Sequence, residues 1–369
     1  MKLNNLNKLF IFLFFAVTVL PLLFTDFRSE AVSMLDNRIL AKDPFAAADN
    51  GEEFTSAVEN YFNDRIGFRK QFLSLSSMID YYLFRESPNE RVILGDRGWL
   101  FYNSDAAQDG HTVDMYLGDF RYSDEQLQQI ASNLTSAADY LNSNNCEFVL
   151  YIAPNKERVY SENMPSKYRD AERLDNSATI QLISYLQENI GIRVVWPYPA
   201  IREYIGDHPD RTVYYKTDTH WNHLGAYIGA KALLDELGIS MPSPDEISFY
   251  KEECSTGDLY NFLALDGLRM DDSDYTPENL LHTPQKSDVD DQSHWEYRNS
   301  GRDSRNLLVV RDSFSYAMRD YLGSEFNRVD FYNKSNISQK LVHEKSPDIL
   351  VLQLVERNDD LLLNFSLEN

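Results

Sequence analysis

Residues 306–322, NLLVVRDSFSYAMRDYL, decide how the chain is read. Asn306 to Val310 is an apolar run of strand length, and Phe314 to Leu322 carries apolar residues at helical spacing. Arg311, Asp312 and Ser313 stand between them. A strand that feeds a helix through so short a turn is the unit of an α/β fold, where ligands gather outside the carboxyl ends of the strands. Ser313 occupies such an end. Backbone N–H groups there, with the positive end of the helix dipole, can stabilise an oxyanion forming beside the serine. The same position is also a favoured helix N-cap, which needs no chemistry.

The rhythm extends in both directions. Downstream, strands are expected over Arg328–Tyr332 and Asp348–Val355. Upstream, a helix over Asp124–Asn142, capped by Ser123, leads into EFVLYIA (Glu147–Ala153), a buried strand. A helix over Asn176–Asn189, a strand over Arg193–Trp196 and a helix over His223–Leu237, stopped by Gly238, follow. Strands separated by helices predict an α/β fold with a mainly parallel sheet flanked by helices on both faces. VILGDRGWLFY (Val92–Tyr102) reads as a hairpin. Asp266–Asp291, with eight acids against Arg269 and Lys286, breaks the pattern and reads as a solvated acidic loop or insertion. It lacks the spacing of an EF-hand calcium loop.

From Leu9 to Phe24 every residue except Thr18 and Pro21 is apolar, Lys2 and Lys8 precede the run, and no small-x-small cleavage site follows. Residues 1–25 are expected to be an uncleaved signal anchor in the inner membrane, leaving the rest periplasmic or at the cell surface. A cleaved signal is the alternative. Residues 26–90 read as a stem with amphipathic helices, from the spacing of Phe54, Val58, Tyr61 and Phe62 and of Phe72, Leu75, Ile79 and Leu83. Residues 91–369 are expected to be the catalytic domain.

Composition narrows the function. With 43% hydrophobic and 13% aromatic residues in 369, the bulk of the chain is globular. Its 35 Lys+Arg against 58 Asp+Glu leave a net charge of -23, which excludes nucleic acid as a partner. No pool of ATP, CoA or nicotinamide is available after export, and neither GxxxxGK[ST] nor GxGxxG occurs, so no cofactor is expected. Cys146 and Cys254 allow one disulfide at most, and without HxxxH or HExxH spacing no metal is expected.

A serine nucleophile needs a base, and His220, in TDTHWN (217–222), is the best placed of seven histidines. Asp218, two residues earlier on an extended segment, would lie on the same side and could orient the imidazole. Asp-x-His alone is equally a metal-ligand pair or a satisfied surface histidine. His223 belongs to the start of the following helix. Glu356 and Arg357 end a strand and can pair with each other.

The two signals together resemble a known family. DTHWNHLGAY (218–227) followed by LLVVRDSFSYAMRDYL (307–322) is similar to the SGNH-hydrolase-like O-acetyltransferases of exported polysaccharides, the alginate O-acetyltransferase family and its DHHW-type relatives. ENYFNDRIGFRKQ, ILGDRGWLFY, YIAPNKERVYSENMP and PDILVLQLVERN agree in order, so the resemblance runs from Asn60 to Asn358. It implies Ser313 as nucleophile, His220 as general base and acid, and Asp218 as orienting carboxylate, with the Asp–His pair preceding the serine. It also implies a polysaccharide acceptor and an integral membrane acyltransferase that delivers the acyl group. Asn155 and Lys156, at another strand end, are candidate donors to the oxyanion or substrate. Tyr316 and Arg319, one turn apart, are candidates for the glycan groove, and Trp221 for stacking on a sugar. The expected activity is O-acetyl transfer through a serine acyl-enzyme. The alternatives are an acetylesterase with the same triad and a non-catalytic scaffold of an export complex.

Overall fold

The computed structural model describes residues 5–27, 32–33, 38–49, 51, 53–171, 177–254, 257–265, 270–280, 282–290 and 293–367. They form two compact units, residues 1–89 with 260–269, and residues 90–259 with 270–369.

In the first unit, helix α1 (Asn5–Leu23) is long and apolar enough to cross a membrane, by length and composition. Helices α2 (Phe54–Arg65) and α3 (Arg69–Ile79) meet at Ile66–Phe68. That joint sits on the end of α1: Gly67 N–H donates to Pro21 O (3.0 Å) and Asp26 N–H to Arg65 O (3.1 Å). A Cβ on Gly67 would lie 2.7 Å from both Phe24 Cβ and Pro21 O, so glycine alone permits the approach. The periodicity of residues 54–83 predicts amphipathic helices, and helices form there. Their apolar side, however, is turned out and not in.

The second unit is built on a seven-stranded sheet. Its strands are β1 (Glu147–Ala153), β2 (Arg193–Val195), β3 (Lys286–Asp290), β4 (His294–Arg298), β5 (Asp303–Arg311), β6 (Phe326–Asn333) and β7 (Ile349–Val355). They lie in the order β2-β1-β7-β5-β6-β4-β3. The first five are parallel, and β4 and β3 add antiparallel at one edge. The sheet is therefore mixed: parallel over five neighbouring strands, as expected, with an antiparallel edge that the sequence reading did not include. Charged and polar positions break up the edge strands, so neither gives the continuous apolar run that betrays a central strand.

The central strands show why such a run forms a sheet covered twice. Val149, Tyr151, Ile349, Val351 and Val309 point into one core, and Phe148, Leu150, Leu350, Leu352 and Leu308 into the other. Successive side chains alternate faces, so both parities must be apolar. The second core is closed by helices α4 (Asp124–Ser143) and α5 (Ala178–Asn189). The first is closed by α6 (Tyr198–Asp207), α7 (His223–Glu236) and α8 (Ser315–Glu325). The α4 start is a capping box: Gln126 N–H donates to Ser123 Oγ (3.2 Å), and Ser123 N–H to Gln126 Oε1 (2.9 Å). Val92–Leu94 and Leu100–Tyr102 pair antiparallel as the hairpin pattern predicts.

The acidic stretch departs from the solvated loop expected of it. Ser273–Pro277 pairs antiparallel with Phe249–Glu253. Asp272 is buried because its oxygens accept Lys216 N–H (2.9 Å), Thr217 N–H (2.8 Å) and Thr217 Oγ1–H (2.6 Å). Residues 266–269, 281 and 291 of the stretch lie outside the described residues.

Candidate active site

Ser313 stands at the carboxyl end of β5, one residue after the strand's last neighbour Asp312 and just before α8. The turn is braced to the adjacent strand. Asp312 Oδ1 accepts Phe314 N–H (2.9 Å) and Gln353 Nε2–H (2.7 Å), and Oδ2 accepts Val355 N–H (2.6 Å). Gln353 Oε1 in turn accepts Asp312 N–H (3.2 Å) and Ser315 Oγ–H (2.7 Å). On the other side Trp221 Nε1–H donates to Phe314 O (2.9 Å). A buried polar network with each member paired holds a turn in one geometry. It also uses the Phe314 N–H, which is thereby withdrawn from the oxyanion-binding set expected at this helix start.

His220 lies on a loop closed by a bridge between Tyr214 and Trp221. The segment is bent, and not the extended chain that its Asp-x-His spacing predicts. Side-chain proximity comes from the turn itself: Asp218 Oδ1 accepts His220 N–H (3.0 Å) and lies 2.7 Å from His220 Nδ1. An ionised carboxylate only accepts, so Nδ1 carries the proton and Nε2 presents its lone pair. That lone pair faces Ser313, with Nε2 and Oγ 2.8 Å apart. Burial works to raise the Asp218 carboxyl, but the hydrogen bond from the His220 ring and the backbone N–H donors of His220 and Asp258 outweigh it and hold the group at about 2.

Asp258, which the sequence did not single out, and Lys156, read there as a donor to oxyanion or substrate, fix this loop. Asp258 N–H donates to Asp218 Oδ2 (3.0 Å), while Asp258 accepts Thr219 N–H (2.8 Å) and Thr219 Oγ1–H (2.7 Å). Burial, then the Asp218 charge, push the Asp258 carboxyl upward. Lys156 donates to the carbonyls of Leu100 (2.6 Å), Lys216 (2.9 Å) and Asp218 (2.9 Å). Burial brings its ammonium down to about 8 despite the surrounding carboxylates. No local pattern marks Asp258 as a partner, since it arrives from a distant stretch of chain.

The three residues open on a cleft of about 320 Å³ whose rim includes Tyr316, Arg319 and His223. Tyr316 is 47% exposed and its ring lies 4.7 Å from that of Trp295. His223 Nδ1 is 2.6 Å from Asp274, and that bond raises the imidazole above its ordinary value against the effect of burial. The remaining sequence candidates fall elsewhere. Trp221 touches the cleft wall but is 1% exposed, packed edge-to-face on Phe314, so its ring face is closed to a sugar. Lys156 has its three donors on carbonyls and serves the loop rather than the substrate. Asn155 is buried off the cleft, where its Oδ1 accepts Arg357 N–H (3.2 Å). Glu356 pairs with Arg158 (2.8 Å) and not with Arg357.

Among the described residues, three groups could present ligand atoms to one cation: Asp218, His220 and Asp258; Asp105, His111 and Asp114; His294, Glu296 and Asp330. In the first, the carboxylates already accept backbone N–H donors. In the last, Lys345 Nζ lies 2.7 Å from Asp330 and supplies the counter-charge. The second borders a larger concavity of about 710 Å³, whose lining offers no hydroxyl or thiol. Size alone does not make it the reactive site.

A family model described as SGNH hydrolase-like domain, acetyltransferase AlgX, matches residues 92–301. Asp218 and His220 fall inside that match, and Ser313 beyond it. The "Probable alginate O-acetylase AlgJ" of Pseudomonas putida is 26% identical over 224 residues, covering 59% of this chain and 53% of the relative. The chain thus spans about half the length of that relative. A DHHW family protein from Eubacterium siraeum aligns with a TM-score of 0.54 at 14% identity, over 75% of this chain and 99% of the other. Bacillus cereus PatB1 aligns with a TM-score of 0.52 at 15% identity, over 72% and 96%. These likenesses show an SGNH-hydrolase-like α/β fold with a mixed sheet.

Proposed function

Because the chain belongs to the family of the SGNH hydrolase-like domain of acetyltransferase AlgX, we propose that it transfers an acetyl group to a hydroxyl of a polysaccharide outside the cytoplasm. The observation that carries this reading is the unbroken line Ser313 Oγ, His220 Nε2, His220 Nδ1, Asp218 Oδ1, with contacts of 2.8 and 2.7 Å. Ser313 Oγ attacks the carbonyl carbon of an acetyl donor while its proton passes to His220 Nε2. Asp218 stabilises the imidazolium. Collapse of the tetrahedral adduct expels the leaving group, which takes the proton, and leaves acetyl-Ser313. A sugar hydroxyl then attacks that ester, His220 accepts its proton, and return of the proton to Ser313 Oγ releases the acetylated glycan.

Helix α1 supports a membrane-anchored location, and an integral membrane acyltransferase is the proposed source of the acetyl group. Tyr316 and Arg319 are the proposed acceptor contacts. The test is mass spectrometry of oligosaccharides incubated with the protein and a small activated acetyl ester. Ser313-dependent acetylation of the sugar is expected. Ester hydrolysis with no acetylated sugar would assign an esterase, and no Ser313-dependent turnover a scaffold.

A further inference from the structure

Helix α3 is inside out. Along it and the wider turn that continues through Asp80–Phe84, the buried side chains are Ser74 and Ser77, 5% and 7% exposed, with Met78 and Tyr81 half-buried beside them. Phe72, Leu75, Leu83 and Phe84 are 43%, 55%, 71% and 60% exposed. Helix α2 repeats this, burying Ala57 and Arg65 and opening Phe54 and Phe62. In water a helix buries its apolar stripe, since each large apolar side chain gains roughly 1.5–3 kcal/mol by leaving solvent. Small and hydroxyl residues at the protein contact with aromatics and leucines outside is the arrangement suited to an apolar surrounding.

What that surrounding is follows from where the helices are tied. The Phe68 ring at the start of α3 lies 5.2 Å from Phe24, and Phe62 lies 5.6 Å from Phe27, just beyond the end of α1. The outward face is therefore continuous with the most apolar helix of the chain. Arg69 and Lys70 in the first turn of α3 add the charge that anionic headgroups attract. Eleven residues are too few to span a bilayer, which needs about 20.

We propose that the outward face of α3, Phe72, Leu75, Ile79, Leu83 and Phe84, lies in the interfacial layer of the bilayer that α1 enters, holding this unit flat on the membrane by a second contact. The proposal rests on the reading of α1 as a membrane span. The full chain, reconstituted in phosphatidylethanolamine–phosphatidylglycerol vesicles, is irradiated with a carbene probe confined to the acyl chains, and labelled peptides are mapped. Label is expected on residues 5–23 and on 72–84, and Leu75→Ser with Leu83→Ser should lower the second roughly fivefold relative to the first. Label on 5–23 alone overturns the proposal and leaves the span standing. An unlabelled 5–23 with labelled 72–84 overturns the proposal as stated, since α1 then enters no bilayer for α3 to make a second contact with. No label on either, or a 72–84 label unchanged in the double variant, overturns the proposal.

Discussion

Gly257 lies so close to Asp218 that a Cβ on it would stand 2.3 Å from the Asp218 Cβ and 2.6 Å from Oδ2. The approach lets Gly257 N–H reach Thr217 Oγ1 (2.9 Å) and Asp258 N–H reach Asp218 Oδ2 (3.0 Å). Gly257→Ala must push one of the two segments away. Misplacing the carboxylate should lower kcat/KM by about 10- to 100-fold while the fold persists. Steady-state kinetics on an activated acetyl ester, with circular dichroism, tests this; an unchanged kcat/KM would mean that Asp218 does not need its present position.

Ser313→Ala, His220→Ala and Asp218→Ala should each reduce acyl transfer by roughly 10³-fold or more, and the Ser313→Ala, His220→Ala pair should be little worse than Ser313→Ala alone. Groups that work as one unit lose their joint effect once. Independent multiplicative losses would argue against the proposed relay.

Acid should unfold the protein partly through His-paired aspartates. Asp274, like Asp218, is raised by burial, but bonds from His223 and Tyr215 bring it down to about 2, below the ordinary 3.8. A folded-state value below the unfolded one adds stability that is complete above about pH 4 and is lost as pH falls toward 2. Asp274→Asn should therefore lower Tm at pH 7 and flatten its decline below pH 4. A thermal-melt series from pH 7 to 2.5 reads both effects.

Asp359 should act in the opposite sense. It is fully buried beside Tyr122 and Thr179, and burial, reinforced by the Glu356 charge, lifts its carboxyl to about 8. Between about pH 4 and 8 the folded state holds a proton that the unfolded chain releases, so stability declines as pH rises through that window. Asp359→Asn keeps an acceptor for Tyr122 and carries no charge. Its Tm should equal or exceed that of the parent at pH 8 and change less between pH 5 and 8; a Tm several degrees lower at pH 8 would show that the parent carboxylate is stabilising there.

Ser313, His220 and Asp218 could be named from sequence because two local patterns, each ambiguous alone, a serine between strand and helix and an acid two residues before a histidine, occur together in the order of a known family. The central strands were equally legible: Glu147–Ala153 and Ile349–Val355 are buried on both faces, so their apolar character shows as an unbroken run. The edge strands Lys286–Asp290 and His294–Arg298 interleave charge with apolar residues; the first fell within the stretch read as an acidic loop, and the second was given no reading.

Beyond the pairing of Ser313 with His220, partnership across the chain was not legible. Asp312 finds Gln353 and Val355 through strand pairing, and Lys156 finds Asp218 O because two loops converge above the strand ends. Trp221 shows the limit most plainly. An aromatic beside a histidine fits a sugar platform as well as a packing post, and the post prevailed because its indole N–H meets Phe314 O inside the core. Propensity and periodicity act over a few residues and leave their mark in the local sequence, whereas burial and hydrogen-bond partnership depend on which distant segments the closed fold brings together.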